Sequence, residues 1–129
     1  MKSRRGVASI ELALVFPVLL AFIFPVIDWS WYMYERVNVA VVANQAIRLA
    51  AGAPAPESTA VASACTALPG YSLMCTAGSV QARVVTRNSG PVVELTLAFP
   101  FDPPIGLVTT PSTLSANATA SWYGELSAP

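Results

Sequence analysis

Residues 12–27 are sixteen consecutive positions without a polar side chain. Val7, Ala8 and Ile10 carry the apolar stretch back to position 7, interrupted by Ser9 and Glu11. As a helix, 7–27 would be about 31 Å long, against a hydrocarbon core about 30 Å thick. The run therefore predicts a membrane span over 7–28. Lys2, Arg4 and Arg5 precede it, and basic flanks stay cytoplasmic. Trp29, Trp31, Tyr32 and Tyr34 follow it, where an interfacial aromatic belt is expected. The N-terminus is then inside, and residues beyond the belt are outside. A secretory signal peptide also has a basic start and an apolar stretch. Here the apolar run is long for one, and Pro25-Val26-Ile27-Asp28-Trp29 has no small-residue cleavage site.

Two features disturb the span. Pro17 and Pro25 each remove an N–H and crowd the carbonyl four residues back. Membrane helices tolerate this when neighbouring groups satisfy the freed carbonyl, so bends or local loosening are expected there. Glu11 places a carboxylate near the cytoplasmic edge, where an ordinary anchor would avoid one. It is either a snorkelling acid or a carboxylate awaiting a cation.

Arg4-Arg5-Gly6-Val7-Ala8-Ser9-Ile10-Glu11 resembles the processing site of type IV pilins and pseudopilins. The resemblance implies that 1–6 is a leader, cut by a prepilin peptidase between Gly6 and Val7. It also implies that Glu11 is the fifth residue of the mature chain. The new Val7 ammonium is then the natural partner for Glu11 of a neighbouring subunit. A buried unpaired charge is expensive, so such a pair would set register. Continued through Leu12-Ala13-Leu14-Val15-Phe16-Pro17, the segment resembles the opening of TadE-like proteins, the minor pseudopilins of the tight-adherence (Flp) pilus system. This resemblance covers about the first fifty residues. Pro25, where relatives often have glycine, departs from it. The resemblance implies a bacterial inner-membrane location with a periplasmic C-terminal domain. Its implied partners are a prepilin peptidase, a paralogous pseudopilin and other pilus-assembly subunits.

Residues 29–52 read as a helix continuing the span. Asn38, Asn44, Gln45 and Arg48 fall on one arc of the helical wheel, and Val39, Val42, Ala43, Ala46, Ile47, Leu49 and Ala50 opposite, an amphipathic pattern. Gly52 is the expected C′ residue, and Pro54 and Pro56 block continuation. A short second helix is expected over 57–68, ended by a turn at Leu68-Pro69-Gly70-Tyr71. Period-two alternation predicts strands near 79–87, 92–99 and 113–123, with a hairpin turn at Asn88-Ser89-Gly90. The apolar faces are even-numbered in the first strand and odd-numbered in the second. Directly paired residues must therefore sum to an odd number. A sum of 177 sets Arg83 opposite Glu94, a favourable cross-strand pair. The expected fold is α+β: a long N-terminal transmembrane helix extending into a small exported domain, 53–129, with a three-stranded antiparallel sheet, as in pilins.

Cys65 and Cys75 are the two cysteines, and an even count outside the cytoplasm suggests a disulfide. Without histidine, two cysteines are half a zinc ligand set, and no cofactor or metal is implied. A Ser–His pair cannot form, and the one lysine, Lys2, lies in the leader segment. Glu94, Asp102 and Glu125 could be imagined as paired carboxylates, but solvated or cross-strand roles suit them better. No catalytic residues and no small-molecule substrate are therefore expected. Without residues 1–6 the chain keeps four basic side chains against seven acidic, a net charge of −3, which disfavours nucleic acid. The sequence points to a structural or assembly component of a pilus. The alternative is an unprocessed single-span anchor displaying a periplasmic interaction domain.

Overall fold

A computed structural model describes residues 3–68, 70, 75 and 78–124, without the side chains of 3–5. Five elements follow in order: α1 (Ser3–Ala51), α2 (Pro56–Ala67), β1 (Val80–Arg87), β2 (Gly90–Pro100) and β3 (Thr113–Ser121). The fold is the expected α+β arrangement. The described residues divide into two compact units. One contains α1 up to Met33 with Asp102–Thr110, and the other contains Tyr34–Phe101 with the residues from Pro111 on.

In the first unit, α1 runs through Pro17 and Pro25 without a break. It contains a stretch of mean hydropathy 2.6, none of it buried. By length and composition this is a helix able to cross a membrane.

In the second unit the sheet order is β1-β2-β3, antiparallel throughout. The register is the one that parity demands: Arg83 faces Glu94, Val84 faces Val93 and Val80 faces Leu97. Asn88 and Ser89 join the first hairpin, and Gly90 takes the positive φ of 113° that side-chain-bearing residues avoid. Across to β3, Leu95 faces Ala118 and Phe99 faces Leu114. Val93, Leu95, Leu97, Phe99 and Leu114 are fully buried, and they form the core with Ala60 and Ala64 of α2. Burying one such large side chain contributes about 1.5–3 kcal/mol. Glu57 in the first turn of α2 accepts the Val84 N–H at 2.9 Å, satisfying a donor on edge strand β1.

The second half of α1 buries Val39, Val42, Ala43, Ala46, Ile47, Ala50 and Ala51 on one stripe. Asn44, Gln45 and Arg48 are exposed, as the wheel requires. Leu49 departs from expectation and is 64% exposed. At about 100° per residue it lies beside Asn38 and Gln45, at the margin of the stripe.

The end of α1 is closed differently from expectation. Gly52 follows the last helical residue but is not in the left-handed region. Instead, Ala50 O accepts the Ala53 N–H at 3.1 Å and Ala51 O accepts the Tyr123 N–H at 3.2 Å. The Trp122 indole N–H donates to Ala53 O at 3.0 Å. β3 ends at Ser121 rather than at 123: the Trp122 N–H still donates to Pro91 O at 2.9 Å, but the Trp122 indole and the Tyr123 N–H turn to the helix end, where carbonyls lack partners. Gly124 lies so close that an added Cβ would sit 2.5 Å from Ala53 O and 2.6 Å from the Trp122 indole nitrogen.

Glu94, on the outer sheet face, is bonded by both arginines of β1. Arg83 Nε donates to Oε2 at 3.1 Å and Arg87 donates to Oε1. These bonds, Arg87's first, hold the Glu94 carboxyl below its ordinary 4.5. A depressed folded value contributes stability that is complete above the unfolded pKa and is lost as pH falls through the folded one.

Three outcomes are expected from thermal melts of the full chain in detergent. Gly124→Ala should lower the midpoint, because backbone carbonyl blocks the new methyl. Gly52→Ala should be neutral or stabilising by about 0.4–1 kcal/mol, since its Cβ would be 3.8 Å from the Tyr123 ring. The midpoint difference between wild type and Glu94→Gln should be constant above pH 4.5 and narrow below it.

Candidate membrane anchor and assembly site

The first turns of α1 carry the residues that the sequence singles out. Helical spacing places Val7, Ala8, Glu11, Leu12 and Val15 on one face. Val7 is 62% exposed, Glu11 is exposed, and no hydrogen bond or ion pair joins Glu11 to another described residue. Gly6 has no structural requirement for glycine: its φ is not left-handed, and an added Cβ would meet nothing within 4 Å. Lys2 and the side chains of Arg4 and Arg5 lie outside the described residues.

At the other end of the apolar run the aromatic residues separate. Trp29 and Trp31 are 40% and 48% exposed, and Tyr34 is exposed. Tyr32 is buried instead and meets the Trp29 ring edge-on, with centroids 5.8 Å apart. Its ring serves packing within the protein, so the exposed belt comprises the other three.

In the sequence Asp28 reads as the boundary with water, a polar residue directly after an apolar run. It is fully buried. Its Oδ1 accepts the Ile105 N–H at 3.0 Å, and its Oδ2 has no hydrogen-bond partner. No local signal announces this, since the covering segment is distant in sequence.

The remaining candidates are dispersed among different roles. Cys65 and Cys75 are joined in a disulfide with Cα atoms 6.0 Å apart. Glu94 is engaged by Arg83 and Arg87, Asp102 is exposed, and Glu125 lies outside the described residues. Among the described residues no group of three or more His, Cys, Asp or Glu could hold a metal.

Fold and site define a protein with one N-terminal helix of membrane-anchor type and a small α+β unit. Residues 6–48 match the model of the TadE-like protein family, and over this segment the chain is TadE-like. Nothing among curated proteins or solved structures matches the chain.

A disulfide closing so short a loop contributes about 2–3 kcal/mol, chiefly by restricting the unfolded chain. Cys65→Ser should lower the denaturation midpoint in urea accordingly, and a reductant should lower wild type to the same value without affecting the variant.

Proposed function

We propose that the protein is a minor pseudopilin of the tight-adherence pilus, inserted by α1 and cleaved after Gly6. The carrying observation is the exposed face on which Val7 and Glu11 stand one helical turn apart beside the apolar Ala8, Leu12 and Val15. Gly6 supports the reading. A glycine within a helix costs about 1 kcal/mol relative to alanine, and neither backbone nor space requires it here. Recognition by a peptidase supplies the missing reason. Cleavage discards Lys2, Arg4 and Arg5 and creates one ammonium at Val7. Glu11 of an adjacent subunit then has a cation to meet, and any packing that leaves it unpaired in hydrocarbon is penalised. The periplasmic domain would meet other subunits, with a paralogous pseudopilin as the expected neighbour.

Mass spectrometry of the envelope protein should find Val7 as the N-terminus when a prepilin peptidase is present and Met1 when it is deleted. Glu11→Val should insert normally yet fail to enter the pilus or support its assembly. Normal insertion and normal function of that variant, with an uncut N-terminus, would leave the unprocessed anchor as the correct reading.

A further inference from the structure

The segment 102–110 belongs to the same compact unit as the apolar part of α1. The connection between β2 and β3, 101–112, is long beside the roughly two to five residues usual for a hairpin. Its base is closed by the Phe101 N–H donating to Ser112 O at 2.9 Å. Gly106, at φ 71°, turns its tip. Asp102 is the only charged residue from 102 to 110, and the tip reads Pro103-Pro104-Ile105-Gly106-Leu107-Val108. Ile105 is 37% exposed and Leu107 64% exposed. The fixed point is the bond from the Ile105 N–H to Asp28. Asp28 directly follows the sixteen-residue apolar run, so the tip stands where the span ends.

We propose that residues 103–108 make a second, shallow membrane contact, laying Ile105 and Leu107 into the lipid at the outer end of the span. This rests on α1 being a span. Lipid is the occupant that fits, because the tip adjoins a helix stretch that is itself unburied and apolar. The exposed Trp29 and Trp31 rings mark the same level as an interface. The tip has no lysine or arginine to hold headgroup phosphates, so its contact is with the acyl boundary, where apolar side chains sink about 5–10 Å. The two parts support each other. Asp28 fixes the loop, and the loop covers a carboxylate that would otherwise lie bare against lipid, where acids are penalised.

Cys65 and Cys75 are bonded and no other cysteine is present, so one added cysteine can carry a nitroxide. The full chain would be labelled separately at Leu19→Cys, Leu107→Cys and Asn117→Cys in phosphatidylcholine vesicles. Collisions with oxygen, which favours lipid, are then compared with those of a water-soluble nickel chelate. The 19 label should be strongly oxygen-favoured and the 117 label nickel-favoured. The 107 label should have an oxygen-to-nickel ratio severalfold above that of 117. Asp28→Ala should bring it down towards the 117 value, whereas Asp28→Asn, which keeps an acceptor for the Ile105 N–H, should not. A 107 label equal to 117 while 19 stays in lipid overturns the contact and leaves the span standing. A 107 label indifferent to Asp28→Ala overturns the tether. An aqueous 19 label overturns both the contact and the span.

Discussion

A single helix here answers to two different solvents, and the rest of the chain is arranged around that demand. In hydrocarbon a helix satisfies its own backbone, but it needs apolar side chains on every side. In a protein core it needs them along one stripe. The early part of α1 is unburied and apolar all round, whereas from Val39 to Ala51 it buries one stripe and exposes Asn44, Gln45 and Arg48. The polar exceptions in the early part are therefore the informative ones. Glu11 is left open on the surface of the helix, and Asp28 is shut away beneath a loop backbone. One acid is available to another molecule; the other is satisfied, through one of its oxygens, by this one.

The second unit derives its stability from a thin core. Large residues come mainly from β2, with Leu114 of β3 and Val39, Val42 and Ile47 of α1, and the other buried positions of α1 in this unit are alanines. Such a helix face permits close approach but gives little apolar area. Specific polar closures then carry more weight. They include the Trp122 and Tyr123 bonds to the end of α1, the Glu57 bond to Val84 and the Glu94 cluster on the outer sheet face. The Cys65–Cys75 bridge adds a restriction on the unfolded chain that does not depend on packing.

Much of this was legible in the sequence where periodicity carries the information. Alternation located the strands, and parity with one charge pair set the first hairpin's register, because a one-residue slip would turn every side chain to the wrong face. The apolar run marked the anchor-type helix, and Gly6 and Glu11 carried the resemblance to TadE-like proteins. Legibility failed where tertiary contact decides. Leu49 sits at the margin of a stripe, and only packing tells whether a marginal leucine is covered. Gly52 looked like a left-handed helix cap, but the carbonyls of Ala51 and Ala53 are satisfied by residues some seventy positions later. Tyr32 reads like its aromatic neighbours until its burial is known. Asp28 gave no sign of being covered, since 102–110 has no periodic pattern of its own.

The closure of α1 by Trp122 and Tyr123 has a consequence for when the domain can form. A chain made from its N-terminal end presents these residues last among those described. Until they emerge, the Ala51 and Ala53 carbonyls and the β3 side of β2 stand open. The second unit can therefore close only once nearly all of its described residues are present. During that interval Leu95, Leu97 and Phe99 are open apolar surface rather than a finished core.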